Sequence, residues 1–285
     1  RGMSSAASDV YKRQGPLRPR NNVRLASELR RELKRRDAGS PAVQGAALLA
    51  GSGVPLTDER YTALLKGRLN VVGEGWSGLV GRMAAALDEV GVLIEANCNV
   101  TSIEHRTVVL DDGRTFQSDT VILACGLKQA RKLLKFLDDD GTSDVEPVRA
   151  STLDVTLSSR PVEALHGIVD PAEGAYLVDV ANVQPKLGLS GAFLSAVMVE
   201  RQGESVDDRN HRFDRFLERH ARGWERHTLH DRRQRNIVVQ TSGSKPRFDV
   251  HRSHGILLAG EWVASDHSLA DAAAQTGRMC GQHGP

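Results

Sequence analysis

The sequence is poor in aromatic residues and nearly balanced in charge, and each feature excludes a class of function. Aromatic residues make up 4% of the 285 residues, which argues against the stacking surfaces that bind single-stranded nucleic acid. Lysine and arginine number 38 and aspartate and glutamate 36, giving a net charge of +2. Such a balance lacks the electrostatic footprint of a nucleic-acid-binding protein, so we expect no nucleic-acid partner.

Cysteine and long apolar runs are scarce as well. Cys98, Cys125 and Cys280 are far apart and odd in number, which predicts buried thiols in a reducing compartment rather than a disulfide framework. No apolar run reaches the ~18 residues that span a bilayer, and no signal peptide is visible. We expect a cytoplasmic protein without a transmembrane segment, and we leave peripheral membrane contact open.

What remains is the composition of a globular protein, with 40% hydrophobic and 26% charged residues. Strand-like runs alternate with helix-like runs, which predicts an α/β or α+β fold with a mixed sheet. Predicted helices cover 78–90, 127–137, 206–219 and 269–281. Predicted strands cover 92–96, two short runs between 100 and 110, 120–124, 150–157, 175–180, 192–200, 237–240 and 255–259. Asp111–Gly113 predicts a hairpin turn.

The first residues are unlike the rest. Residue 1 is Arg, and Ser4–Gln14 resembles the translation of sequencing-adapter read-through. We therefore treat residues 1–14 as a non-native tail and leave them out of the fold prediction. On this interpretation we expect the chain to be part of a longer protein.

A glycine-rich turn, Gly73–Gly78, follows a short predicted strand and opens the predicted helix 78–90. Glu95 ends the next predicted strand, at about the 20-residue spacing of a dinucleotide-binding βαβ unit. Such a unit would hold a pyrophosphate at the helix N-terminus and a ribose on the carboxylate. Against this, the strand before the turn is very short, and 97–123 reads as a meander of strands in place of a second crossover helix.

Five segments follow one another in an order that carries a family resemblance. They are Gly73–Gly78, Gly91–Ile94, Val100–Ile103, Asp112–Gly113 and Ser118–Ala124. This order resembles the middle of flavin-dependent amine oxidases, protoporphyrinogen oxidases and phytoene-desaturase-like oxidoreductases. In that family the nucleotide fingerprint lies upstream and is followed by Arg-x-Gly-Gly, and neither is present here. The resemblance favours Gly73–Gly78 as the internal turn of the family rather than a phosphate loop.

The C-terminal stretch resembles the closing flavin motif of the same family. Gly255–Val263 and Leu269–Gly277 match its form, which is Ala-Gly-Asp, a short loop and a helix entered through small residues. A carboxylate there can accept bonds from ribityl hydroxyls, and a helix N-terminus stabilises the negative charge of a reduced flavin. Glu261 replaces the commoner Asp and Ala272 replaces Gly. We expect Asp271 to cap the helix or point away.

The resemblance implies FAD as the cofactor and a set of contact residues. Val100 would contact adenine through its backbone, and Ala124 to Gly126 would pass near the pyrophosphate. The ribityl and ring end would be lined by Gly260, Glu261, Trp262, Ala272 and Ala273.

The resemblance also implies a domain organisation. Residues 70–126 and 250–285 would form an incomplete FAD/NAD(P)-binding Rossmann-like domain. Residues 15–69 and 127–249 would form an interleaved mixed-sheet substrate domain.

The implied function is that of the C-terminal part of an FAD-dependent oxidoreductase. The intact enzyme would take a hydride from an amine or from a C–C bond of a hydrophobic small molecule, and the flavin would carry that chemistry. No catalytic residue is identified, and we expect the fragment alone to bind FAD poorly and to be inactive. The alternatives are an NAD(P)-binding enzyme that uses Gly73–Gly78 and a non-catalytic binding remnant.

One histidine group is a candidate for a metal site. His227 and His230 have helical spacing, and His220 is nearby. No cysteine or second carboxylate cluster completes a ligand set at a recognisable spacing. We therefore predict surface histidines and no metal.

Overall fold

The computed structural model describes residues 75–104, 106–160, 168–170, 173–183, 191–201, 203–267 and 269–283. These residues divide into two compact units, one of 75–92 and 149–239 and the other of 93–148 and 240–283. Predictions for residues 1–74, including the strand before the glycine turn, lie outside the described residues. The predictions for Gly73 and for the adapter-like tail also lie outside the described residues.

The elements confirm the mixed α/β class. In chain order they are α1 (Gly75–Glu89), β1 (Val100–Glu104), β2 (Thr107–Leu110), β3 (Thr115–Gln117), β4 (Val121–Leu123), α2 (Leu127–Leu133), β5 (Val145–Leu157), β6 (Ile168–Asp170), β7 (Ala175–Asp179), α3 (Val180–Val183), β8 (Ala192–Val199), α4 (Val206–His220), β9 (Thr228–Gly243), β10 (Ile256–Leu258) and α5 (Leu269–His283). Short 3₁₀ helices occupy Trp224–His227 and Arg252–His254. Within the described residues, every helix is too short or too polar to cross a bilayer.

The first unit is built on a five-stranded sheet of order β6-β7-β8-β5-β9. The pairs β6–β7, β7–β8 and β8–β5 are antiparallel. Because successive side chains of a strand point to opposite faces, every second residue faces α4. Those residues form the core with Phe213, Phe216 and Leu217 of the helix.

Helix α4 has a well-defined start. The Ser205 hydroxyl accepts a hydrogen bond from the Asp208 backbone N–H at 3.1 Å, which satisfies one of the free donors of the first turn. Asp207 and Asp208 lie in that turn, and Arg219 and His220 lie in the last turn. Acidic residues in the first turn and basic residues in the last turn both interact favourably with the helix dipole.

The second unit holds an antiparallel sheet, β1-β2-β3, and a parallel pair, β4 and β10. The predicted hairpin turn is confirmed between β2 and β3, where Gly113 has φ +85°. A buried cluster joins β1, β4, α2, β10 and α5, and its members include Ile103, Leu123, Leu133, Leu258, Val263 and Cys280.

The predicted strand 92–96 is wrong. No described strand pairs with these residues, and Val92, Leu93 and Ile94 are 45%, 77% and 54% exposed. Three consecutive apolar residues place side chains on both faces of a strand, so they favour a buried strand with covered faces. The described part of the chain provides no such cover.

Several element boundaries also differ from prediction. Helix α2 ends at Leu133 rather than 137, while β5 begins at Val145 and β9 at Thr228. The charged residues within β9 are exposed. The sequence there therefore lacks the alternation of apolar and polar residues that marks a half-buried strand. Strand pairing therefore extends beyond the apolar part that the sequence reveals. The helical arrangement that would bring His227 and His230 onto one face does not form, because His230 lies on β9.

Candidate functional site

The parallel strands β4 and β10 bring two loops to one edge of the second unit. Val121, Ile122 and Leu123 pair in register with Ile256, Leu257 and Leu258. The Ala259 backbone N–H donates to the Leu123 carbonyl at 2.9 Å. In open α/β sheets, ligands bind outside the carboxyl ends of the parallel strands. The residues after these two strands therefore define the candidate site.

Trp262 joins the two loops. Its indole N–H donates to the carbonyl oxygen of Cys125 at 2.9 Å, and its side chain is buried. Gly260 has φ +148°, and a Cβ atom at this position would lie 2.8 Å from the Trp262 Nε1 atom. Both observations require glycine at 260, so the turn after β10 is shaped to seat the indole ring.

Thr276 joins the turn after β10 to helix α5. Its hydroxyl accepts from the Gly260 backbone N–H at 3.0 Å and donates to the Ala272 carbonyl at 2.8 Å. Thr276 and Ala272 are both buried, so the small alanine lets the helix approach the turn closely. Ala273 is half-buried beside it, and Asp271 is exposed in the first turn.

Two residues of the described chain hold the Glu261 carboxylate. The Thr241 backbone N–H donates to Oε1 at 2.9 Å and the Thr241 hydroxyl to Oε2 at 2.9 Å. Lys245 Nζ lies 3.1 Å from Oε1 and donates to the Glu261 carbonyl at 2.6 Å. A carboxylate has about four acceptor positions, so these bonds fix its orientation and leave acceptor capacity for a further hydroxyl.

Val100 is tied to the same region through α2. Its carbonyl accepts from Gln129 Nε2 at 3.2 Å, and the Gln129 backbone N–H donates to the Gly126 carbonyl at 2.9 Å. Through these bonds and those of Trp262 and Thr276, the structure places all eight predicted cofactor residues in one unit. They are Val100, Ala124, Gly126, Gly260, Glu261, Trp262, Ala272 and Ala273.

Gly126 leaves open space at the start of α2. It has φ −65° and ψ 154° and is exposed, and no heavy atom lies within 4 Å of where its Cβ would stand. Ala124 beside it is exposed too. Open backbone, small side chains and one oriented carboxylate fit the phosphate and hydroxyl groups of a dinucleotide.

The Cys125 thiol is not suited to nucleophilic chemistry. Burial raises the pKa of Cys125, so the protonated thiol dominates near neutral pH. Of the three free cysteines, Cys280 is buried, whereas Cys98 and Cys125 are half-buried. The prediction of buried thiols therefore holds fully for Cys280 only.

In the alternative arrangement, in which Gly73–Gly78 would bind a dinucleotide, Glu95 would supply the carboxylate for the ribose. The structure holds Glu95 elsewhere. Glu95 Oε2 lies 3.3 Å from Arg114 NH1, and the Arg114 Nε atom lies 2.7 Å from Asp112. These contacts hold Glu95 at the β2–β3 hairpin turn. Since 92–96 is not a strand, Glu95 does not stand at a strand end where a ribose could be bound.

Sequence reasoning missed four residues of this network, Gln129, Thr241, Lys245 and Thr276. Thr276 could have been found, because a helical threonine four residues after a small residue often bonds back to that carbonyl. Thr241 and Lys245 follow the predicted strand 237–240, and their contact with Glu261 depends on tertiary structure alone.

The chain belongs to the FAD-dependent oxidoreductase (DAO) family, whose model matches residues 6–275. FAD is therefore the cofactor, and the general class is flavin-dependent oxidoreductase. No curated protein is similar enough in sequence to count as a match.

Solved structures share the fold at low sequence identity. An oxidoreductase from Methanosarcina mazei has a TM-score of 0.65 and 14% identity, over 89% of this chain and 67% of that one. A protein from Pyrococcus furiosus has a TM-score of 0.64 and 16% identity, over 98% of this chain and 74% of that one. Cyclohexylamine oxidase from Brevibacterium oxydans has a TM-score of 0.52 and 13% identity, over 97% of this chain and 73% of that one.

Proposed function

We propose that the chain is the C-terminal part of an FAD-dependent oxidoreductase that removes a hydride from an amine or a C–C bond of a hydrophobic molecule. The observation that carries this proposal is the junction at the carboxyl ends of β4 and β10. There Trp262 and Thr276 fix two loops and the start of α5 against one another. The name of the cyclohexylamine oxidase with the same fold supports the amine alternative.

The flavin-binding role is proposed for the eight residues named above. When bound, FAD supplies the hydride-accepting chemistry. Glu261, oriented by Thr241 and Lys245, would accept bonds from ribityl hydroxyls. The N-terminal end of α5 would favour negative charge near the ring, since the fifteen-residue helix carries a partial positive charge there.

We propose the domain roles on the same basis. Residues 70–126 and 250–285 would serve the flavin, and 15–69 and 127–249 the substrate. The sequence before residue 73 contains neither a Gly-x-Gly-x-x-Gly nor an Arg-x-Gly-Gly motif. We therefore expect this polypeptide by itself to hold FAD weakly and to be inactive. A purified sample that is yellow with stoichiometric FAD would contradict this expectation.

The flavin site is tested with Gly126→Leu. The new side chain enters open space, so the protein should lose no more than about 1 kcal/mol through the poorer N-cap residue. The FAD-dependent rise in melting temperature should disappear, because the side chain occupies the space that we assign to the nucleotide. A ligand at 100 times its Kd should add about 2.7 kcal/mol to the wild type.

Gly281→Leu is the matched control, because it also enters open space at an exposed position near the end of α5. It should leave the FAD effect unchanged. Stabilisation by NADPH but not by FAD would contradict the proposal and favour the NAD(P) alternative. Stabilisation by neither cofactor, at concentrations into the millimolar range, would favour a non-catalytic remnant.

A further inference from the structure

The sheet of the first unit has a second face, opposite α4, and the acidic residue Asp154 of β5 lies on it. Leu153 and Val155 of β5 are buried against the helix side. Asp154 between them must point to the opposite face, because strand side chains alternate. Tyr176 of β7 and Phe193 of β8 share this second face by the pairing register.

Asp154 lies directly opposite Ser195 in the pairing of β5 with β8. The Ser195 hydroxyl donates to Asp154 Oδ1 at 2.6 Å, and both residues are half-buried. Within the described residues, no lysine, arginine or histidine side chain lies within ion-pair distance of the Asp154 carboxylate.

Other shielded carboxylates of this unit do have cations. The pairs, with their closest N···O distances, are Asp179 with Arg160 at 2.9 Å, Glu200 with Arg209 at 2.8 Å, Glu204 with Arg212 at 2.8 Å and Asp170 with Arg219 at 2.7 Å. Removing a carboxylate from water is costly unless a charge partner compensates. Asp154 therefore differs from these carboxylates, because no cation of the described residues compensates its charge. A bound cation could do so.

Aromatic side chains accompany this charge. Burial, together with the negative charge of Asp154, raises the pKa of Tyr176 to about 12. The phenol therefore keeps its proton at physiological pH and remains a hydrogen-bond donor. Phe193 is half-buried on the same face, and aromatic rings attract organic cations through their faces.

We propose that Asp154, with Tyr176 and Phe193 on the same face of the sheet, binds the ammonium group of an organic amine. A metal ion is a poorer occupant, because the described residues contain no group of three or more His, Cys, Asp or Glu side chains that could hold one. The inference rests on the proposed function in one respect. It makes the amine, rather than a hydrophobic C–C substrate, the molecule that this oxidoreductase receives.

The binding experiment needs no flavin. Benzylammonium, which is charged at neutral pH, and benzyl alcohol, its neutral counterpart, are titrated calorimetrically into the full chain. Wild type should bind benzylammonium more tightly than benzyl alcohol. Asp154→Asn should weaken benzylammonium binding by about tenfold or more, because a hydrogen-bonded charge contact is lost. Asn keeps an oxygen for the Ser195 hydroxyl, so the urea midpoint should stay close to wild type.

Two further variants separate charge from shape. Asp207→Asn removes an exposed carboxylate in the first turn of α4 and should leave benzylammonium affinity unchanged. Ser195→Ala removes the hydroxyl but keeps the Asp154 charge, so binding should persist. Equal affinity of wild type for the two probes, or an unchanged benzylammonium affinity in folded Asp154→Asn, would overturn the inference.

FAD titration of the same variants keeps this inference distinct from the proposed function. A chain that responds to FAD but shows no charge-dependent benzylammonium binding refutes the amine site alone. A chain that binds benzylammonium through Asp154 but never responds to FAD refutes the flavin proposal and leaves the cation site standing.

Discussion

The indole N–H of Trp262 donates a hydrogen bond of 2.9 Å to the carbonyl oxygen of Cys125, although 137 residues separate the two in sequence. This one bond joins the loops that leave β4 and β10. The indole ring also explains why residue 260 must be glycine, since a Cβ atom there would collide with it. Packing of the protein itself therefore fixes the shape of the candidate site before any cofactor binds.

The substitution Trp262→Phe should destabilise the second unit. It leaves the partly buried Cys125 carbonyl without its donor, which costs about 1–3 kcal/mol, and it removes ring volume from a buried position. The free energy of unfolding in urea measures this loss. Trp76→Phe is the control, because Trp76 is 61% exposed and its change should stay within about 0.5 kcal/mol. Equal effects of the two substitutions would show that the bond to Cys125 contributes little.

Thr276→Val should be destabilising despite its nearly unchanged shape. The valine cannot accept from the Gly260 N–H or donate to the Ala272 carbonyl, and both contacts are shielded from water. Unfolding free energy should fall by about 1–3 kcal/mol. Thr276→Ser keeps the hydroxyl and should recover most of that loss. If Thr276→Val is as stable as the wild type, the two hydroxyl bonds contribute little to stability.

Lys245→Met tests the support of Glu261. The substitution keeps an apolar stem but removes the ammonium that contacts both the side chain and the carbonyl of Glu261. Because both side chains are largely shielded, we expect a loss of about 1.5–3 kcal/mol in unfolding free energy. Lys128→Met, at an exposed position of α2, serves as control. A loss no larger than that of the control would mean that Thr241 alone orients Glu261.

The sequence predicted helices and strands best where the periodicity of apolar residues coincided with a residue that ends or begins an element. Helix α1 ends at Glu89, just before Gly91 with its φ of +77°, and α5 begins at the predicted residue. The strand at 92–96 failed because apolar composition alone does not reveal whether a pairing partner exists. The N-terminal part of β9 was missed because its residues are exposed and charged. They pair through the backbone N–H and C=O groups of the strand, so no pattern of side chains marks it.

The residues of the candidate site show the same difference between local sequence signals and contacts that depend on the fold. Gly260, Glu261 and Ala272 stand in a local motif that sequence reasoning could identify. Lys245 and Thr241 reach Glu261 only because β9 and the following turn fold back beside it. Asp154 was missed because alternation on a strand marks it only as a polar position. That no cation of the described residues lies beside it emerges only in three dimensions.

Arg212→Met should be among the most destabilising substitutions in the first unit. Arg212 is 1% exposed and donates to Glu204 at 2.8 Å and to the Val199 carbonyl at 2.9 Å. Removing one member of a buried ion pair leaves an uncompensated charge, which costs about 3–5 kcal/mol.

The control for this substitution is Arg222→Met. Arg222 is 91% exposed and pairs with Glu218 at 3.9 Å, so its loss should cost no more than about 1 kcal/mol. The two values of unfolding free energy in urea decide the matter. Similar small losses would show that Arg209, 3.8 Å from Glu204, replaces Arg212 as the partner.

Asp170 should make the first unit sensitive to acid. Burial on its own would raise the pKa of Asp170, but hydrogen bonds from His220 and the Glu173 backbone N–H and the charges of His220 and Arg219 outweigh it, so the pKa is lowered. A carboxyl with a depressed folded pKa contributes stability above its unfolded pKa of about 3.9 and loses it as pH falls through the folded value. In Asp170→Asn, stability at neutral pH should be lower, and its decline below about pH 4 should be shallower. Urea unfolding from neutral to strongly acidic pH measures both effects, with exposed Asp271→Asn as the control that should keep the wild-type slope. An unchanged slope in Asp170→Asn would assign the acid sensitivity to other carboxylates.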